Sequence, residues 1–252
     1  MYVDADPEPL MAAYTAPVDE DQGGCCFDDW VDNWSKRAKK KDTVAGVTAP
    51  LLAALDQAGI RGRSILDIGC GIGDLATEAA TRGATQAFGI ELSAKAVEEA
   101  RCLASDRGVA DRTSFQIGDG AKVPLPNADI VVLNRVFCCY PDIDTLLENS
   151  LSAAGTTYAF TTPPSTGLAG AIVRLQMRFA NLWYRLRDNK FRGFRVFVHD
   201  VGEIDARVKA AGFRPVRRER RRVVWHLAVY VRPGTTPAAA PRLHLAAALE
   251  GL

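Results

Sequence analysis

The chain has 252 residues, 48% of them hydrophobic and 24% charged, with a formal net charge of +1, an ordinary globular composition that suits one large domain able to bury its own core. It has no run of 18 apolar residues and opens on Asp4, Asp6 and Glu8, so neither a membrane span nor a secretory signal is expected. Six cysteines, four of them in the adjacent pairs Cys25–Cys26 and Cys138–Cys139, do not make the disulfide framework of a small secreted domain, and a cytoplasmic location with reduced thiols is expected.

Residues 1–24, rich in Pro, Asp, Ala and Gly without a period, read as a flexible acidic leader outside the core. From Phe27 the spacing of Phe27, Trp30, Val31 and Trp34 predicts a helix, followed by a second helix over 43–58 that stops at Gly59. An alternation then begins: strand 64–68, helix 74–81, strand 86–90, helix 93–107, strand 113–117, strand 129–133, helix 143–152 and strand 156–161. Strands separated by helices on short loops predict a parallel sheet. The apolar and basic helical stretch 168–186, inside a segment of about 165–195, predicts a small cap inserted over the sheet. Asp200 with Glu203 forms a capping-box pattern for a helix to Ala211, closed by Gly212. Segments 213–222 and 223–232 are rich in β-branched and aromatic residues and predict two closing strands, so the main domain is expected over 25–232. Residues 233–252 read as a tail, with an Ala-rich end like a vector-derived linker.

The near-zero net charge conceals segregation. Residues 1–34 hold nine acidic and no Lys or Arg residues, whereas 174–222 hold fifteen basic against five acidic ones. Such a basic stretch is either a solvated face or a docking face for an anionic partner, and the solvated face is the commoner outcome.

The densest signal is Ile65-Leu66-Asp67-Ile68-Gly69-Cys70-Gly71-Ile72-Gly73-Asp74, an apolar strand running through three alternate glycines into a helix. Glycines there allow a backbone to approach a ligand closely. Gly71, Gly73 and Ala76 also satisfy the spacing of a dinucleotide fingerprint, with Glu91 twenty residues past Gly71. Asp67 shifts the balance, because a carboxylate beside the turn repels a pyrophosphate and attracts an ammonium.

The set ILDIGCGIGDLA, Glu91 in GIELS, Asp119 in IGDG and Asn134 in ADIVVLNRVF resembles the class I S-adenosylmethionine-dependent methyltransferases over about residues 63–163. The resemblance implies a Rossmann-like α/β fold: a seven-stranded, mostly parallel sheet with flanking helices, here with N-terminal helices and the small cap insertion. It implies S-adenosyl-L-methionine as cosubstrate and S-adenosyl-L-homocysteine as product. By the same resemblance Gly69, Cys70, Gly71 and Gly73 would lie along the methionine and ribose portions, with Asp67 supporting the turn and the ammonium. Glu91, with Leu92 beside it, would hold the ribose hydroxyls; Asp119, between Gly118 and Gly120, would accept from the adenine amino group; Asn134 and Arg135 would lie near the transferring methyl. Taken singly, an acid ending a strand is usually a cap or turn residue. At successive carboxyl ends of strands in one sheet these acids mark a ligand crevice. The entry helices and the insertion after the fifth strand are also somewhat like those of the magnesium-protoporphyrin group of small-molecule methyltransferases.

Methyl transfer requires a nucleophile held in line, and orientation supplies about 7–11 kcal/mol in well-aligned cases, more than one base adds. No metal is expected. His199 is the candidate general base, with a loop-tying role as its plain alternative. Trp30, Trp34, Phe137, Cys138, Tyr140 and Trp183 are the candidate acceptor-binding residues, although aromatic helix faces are more often core. The expected acceptor is a small, apolar or aromatic molecule methylated at oxygen, with no obligate nucleic acid and no fixed oligomeric state. Three other readings stay open: a thiol or arsenic acceptor held by the cysteine pairs, an RNA or protein acceptor docked on 174–222, and an NAD(P)-dependent oxidoreductase using the same turn. A ligand-binding scaffold without turnover is a fourth.

Overall fold

The computed structural model describes residues 27–40, 44, 46–187, 194–221 and 224–234. The acidic leader, Cys25, Cys26, His244 and the tail beyond Gly234 lie outside the described residues.

Seven strands form one sheet: β1 (Ser64–Ile68), β2 (Gln86–Glu91), β3 (Thr113–Ile117), β4 (Ala128–Asn134), β5 (Ala154–Thr162), β6 (Arg214–Arg221) and β7 (Trp225–Val231). Their order is β3-β2-β1-β4-β5-β7-β6. The first five are parallel, and β7 runs antiparallel to both β5 and β6. The order reverses between β1 and β4, and that switch point is where open parallel sheets bind ligands.

Seven helices accompany the sheet among the described residues: α1 (Asp28–Lys40), α2 (Thr48–Ala58), α3 (Asp74–Thr81), α4 (Ala94–Asp106), α5 (Ile143–Ser152), α6 (Gly167–Leu186) and α7 (Val201–Ala210). Alternate residues of each central strand face opposite layers. Ile65, Ile130, Val132, Ala159 and Val229 pack with α2, α3 and α4, whereas Leu66, Val131, Leu133, Tyr158 and Tyr230 pack with α5 and α7. The result is a three-layer core of the kind that a buried parallel sheet requires. A smaller cluster, Val31, Ile72 and Ala96 with Trp34 against it, lays α1 over the glycine turn and α4.

Local chemistry fixes the ends. Ser93 caps α4 by accepting from the Ala96 N–H at 3.0 Å, and Asp142 caps α5 by accepting from Thr145 at 3.1 Å. β6, at the sheet edge, reads RPVRRERR, and a run of charge there opposes pairing with another chain.

Two expectations change. The second helix starts at Thr48 rather than residue 43, because Gly46 takes a left-handed φ of 71° before it. Asp200 caps α7 on the Gly202 N–H at 2.7 Å, while Glu203 faces Arg207 at 3.6 Å along the same helix. The stretch predicted as helical over 168–186 is the long helix α6, of which only Ala169, Gly170 and Val173 are buried.

Candidate functional site

Each glycine of the turn after β1 has positive φ: 68° at Gly69, 55° at Gly71 and 70° at Gly73. Their roles separate on what a side chain would meet. A Cβ at Gly73 would come within 2.7 Å of Phe115 and 2.8 Å of Ala100, both core residues, so Gly73 packs the turn onto β3 and α4. At Gly71 the nearest atoms belong to the Trp34 ring at 3.7 Å, across the open side of the turn. Gly73→Ala therefore combines left-handed strain with overpacking, and is expected to cost about 2–4 kcal/mol, read as a lower melting temperature.

The turn is tied to β2. Gly69 and Cys70 donate to the Ile90 carbonyl at 2.7 and 3.1 Å. The Gly71 N–H donates to Glu91 Oε2 at 2.8 Å and the Ser93 N–H to Oε1 at 3.1 Å. Glu91 is buried at the end of β2, and burial raises its carboxyl above the usual range against the pull of these N–H donors. Ser93 in turn reaches Asp28 of α1 at 2.6 Å. The carboxylate is thus held rigidly, with spare lone pairs on both oxygens.

Asp67, 2% exposed in β1, has its Oδ1 buried without a hydrogen-bond partner. Desolvation, reinforced by Asp74 and Glu91 and opposed by Arg135, pushes its carboxyl well above the usual range. A buried, unsatisfied acceptor among acids disfavours the protein alone and suits a cationic ligand. Burial likewise raises Asp74 and the Cys70 thiol.

Across the cavity, Asp119 accepts from the Ala121 N–H at 3.0 Å, the Tyr140 hydroxyl at 2.9 Å and Lys122 at 3.1 Å. Burial, then the bond to Asp119, raises the Tyr140 phenol. Gly120 packs on Ile68, where a Cβ would sit 2.4 Å from Cγ2. Asn134 at the end of β4 donates to Thr48 at 2.8 Å and accepts from Thr161 at 2.7 Å. Arg135 follows with φ 64°, the single non-glycine residue with positive φ among the described residues, its N–H bonded to Thr161 Oγ1 at 2.9 Å. Such backbone strain concentrates at functional sites. The Cys138 and Cys139 sulfurs lie 3.5 Å apart, and the contact with Cys139 lowers the Cys138 thiol against its burial, with help from Arg135.

These groups share one cavity of about 760 Å³, large enough for a nucleoside-sized ligand with a second small molecule. Asp67, Gly69, Cys70, Gly71, Glu91, Leu92, Gly118, Asp119, Gly120, Asn134 and Arg135 line it, as do Trp34, Cys138 and Tyr140. Five expected residues lie elsewhere: Gly73 is outside the lining because it packs the turn onto β3 and α4, and the other four are side chains that face away. Phe137 is fully buried against Phe160 at 5.4 Å between ring centres, because a single helical turn over 137–139 rotates it into the core. Trp30 packs on Phe194, and Trp183 lies on α6 against Tyr184 and Arg187, 43% exposed. His199 stacks on Phe197 with its Nε2 2.9 Å from the Tyr140 carbonyl, so the ring ties two loops together behind the cavity wall. The sequence reading missed Ser93, Thr48 and Thr161 as positioning residues; Ser93 carried a signal only as a helix cap.

Residues 65–153 match the model of a methyltransferase domain family. A probable chloroplastic tocopherol O-methyltransferase of Oryza sativa subsp. japonica is 37% identical over 75 residues, 30% of this chain and 21% of that protein. A ribosomal protein L11 methyltransferase of Pectobacterium carotovorum is 37% identical over 108 residues, 43% of this chain and 36% of that protein. These matches span well under half of either relative. Among solved structures, the magnesium protoporphyrin IX methyltransferase of Synechocystis PCC 6803 with bound S-adenosylhomocysteine superposes with a TM-score of 0.62 at 20% identity, covering 82% of this chain and 96% of that one.

Proposed function

We propose that this chain, whose residues 65–153 match a methyltransferase domain family and whose fold superposes on a class I S-adenosylmethionine-dependent methyltransferase, methylates a small, apolar or aromatic acceptor at oxygen. The observation that carries the reading is the pairing of a fixed, buried Glu91 with the unsatisfied Asp67 Oδ1 in one cavity. That pair fits a ligand with a ribose diol and an ammonium, and a pyrophosphate beside Asp67 would meet like charge. When bound, S-adenosylmethionine supplies an electrophilic methyl on a sulfonium. Glu91 would hold the ribose hydroxyls, Asp67 the ammonium through the turn, and Asp119 the adenine edge.

The acceptor side is built from Phe27, Trp34, Val136, Cys138, Cys139 and Tyr140. Its work is positioning the acceptor in line: the O–C bond would form as the methyl–sulfonium bond breaks, and the acceptor's hydroxyl proton would pass to solvent. His199, held on the Tyr140 carbonyl, acts here as a positioning residue for that loop. Calorimetry with S-adenosylhomocysteine and with NADH, followed by mass-spectrometric location of a labelled methyl on product, tests the reading. NADH binding in place of S-adenosylhomocysteine overturns it, and a methyl found off oxygen overturns the choice of atom.

The adjacent thiols favour a second reading, a thiol or trivalent arsenic acceptor, since soft ligands select sulfur. With an oxygen acceptor, Cys138→Ala with Cys139→Ala should change kcat/KM less than about fivefold; with a soft acceptor held by the thiols, turnover should disappear.

A further inference from the structure

Helix α6 carries a row of large apolar side chains that the described residues leave exposed. Leu168, Ile172, Leu175, Phe179, Leu182 and Leu186 are 80, 40, 55, 65, 54 and 77% exposed. Their spacing of four, three, four, three and four residues keeps all six within an arc of about 80° on a 3.6-residue turn. The buried residues Ala169, Gly170 and Val173 lie on the opposite side, so the row points away from the body of the protein. Contiguous exposed apolar surface of this extent marks an interaction site.

The charges on the helix identify the occupant. Arg174, Arg178 and Arg185 form one flank of the row, Trp183 and Arg187 stand on the other, and 167–187 contain no acidic residue. Arg174 is fixed on the Ser165 carbonyl and Arg187 lies over the Trp183 ring at 4.9 Å. A second copy packed along the same row would set Arg178 and Arg185 at its margins with no acid on the helix to meet them, which disfavours a helix pair. An anionic bilayer meets both features: the apolar row enters the acyl boundary and the arginines reach phosphate groups. No helix among the described residues is long and apolar enough to cross a membrane, so α6 would lie along the surface.

We propose that α6 docks this protein on anionic phospholipid membranes, with Leu175 and Phe179 at the centre of the inserted face. The inner side of the same helix connects to the cavity. Tyr184 packs on Phe194 at 5.0 Å, Phe194 packs on Phe27 at 5.4 Å, and Phe27 lines the cavity. Docking therefore brings that wall of the cavity close to the bilayer. The docking itself stands without the methyl-transfer reading.

The test is flotation of the full chain with vesicles of phosphatidylcholine alone and of an equimolar mixture with phosphatidylglycerol. Binding to the mixture is expected, weaker on phosphatidylcholine and reduced by salt. Leu175→Glu with Phe179→Glu should lower vesicle binding at least about tenfold, while Arg178→Glu with Arg185→Glu should abolish the preference for the anionic mixture. Both pairs are exposed and lie outside the cavity lining, so melting temperature and S-adenosylhomocysteine binding should not move. Failure of the ligand to bind any of these proteins would count against the proposed reaction and leave the docking result to stand. Absence of wild-type flotation, or equal flotation of the Leu175/Phe179 variant, would overturn the proposal. So would lipid-independent dimers in sedimentation that the same variant dissolves, which would place a second copy on the row.

Discussion

Glu91→Ala is expected to weaken S-adenosylhomocysteine binding by about 100-fold or more, measured by calorimetry on folded protein. The carboxylate is the natural acceptor for two hydroxyls, and hydrogen bonds to a charged group are worth about 1.5–3 kcal/mol each. It also holds the Gly71 N–H at 2.8 Å and the Ser93 N–H at 3.1 Å. Removing it leaves both donors unpaired and the turn loosened, so the loss exceeds that of the ligand contacts alone. Glu91→Gln separates the effects. It keeps one acceptor oxygen and the side-chain shape, and should recover part of the affinity with most of the thermal stability.

Asp67→Asn should move stability and binding in opposite directions. Desolvation and the neighbouring Asp74 and Glu91 hold the folded carboxyl well above its ordinary value, so the fold binds a proton more tightly than the unfolded chain. This contribution to stability is fully present below the ordinary carboxylate pKa and is lost as pH rises through the raised folded value. Asparagine stays neutral throughout. The ligand-free variant should melt higher than wild type at neutral pH, by about 2–4 °C for each kcal/mol recovered, with the difference shrinking in acid. In exchange, the stabilisation that S-adenosylhomocysteine confers should fall, because the unpartnered Asp67 carboxylate proposed to face its ammonium is gone. A variant that melts lower at neutral pH and still binds as wild type would remove Asp67 from the site.

The two substitutions together describe how the site is maintained. Acids are concentrated at the carboxyl ends of β1 and β2, where Asp67 Oδ1 is buried without a hydrogen-bond partner, and the proposed cationic ligand would relieve the cost of that burial. Natural binding sites commonly sit at such a compromise between stability and function.

Much of this was legible in the chain itself. The alternation of strands and helices over 64–161 and the paired strands that follow predicted the sheet, because a strand buried on both faces and a helix buried on one leave different periods in the sequence. The glycine turn was legible because positions that need left-handed backbone are restricted locally, whereas Glu91 and Asp119 were singled out by the family resemblance and by their places at strand ends, and both line the cavity. What the sequence did not determine is which way a side chain faces once its loop has packed. Phe137 and Cys138 are adjacent, yet one faces the core and the other the cavity. His199 lies on the Tyr140 carbonyl, 59 residues away, and Asn134 is fixed by Thr48, 86 residues away. Nothing local encodes such pairs, because they exist only after the layers have closed. Helix α6 shows the same division. Its period was written in the sequence, but only the tertiary structure decided that Ala169, Gly170 and Val173 would be covered and the leucine row left facing outward.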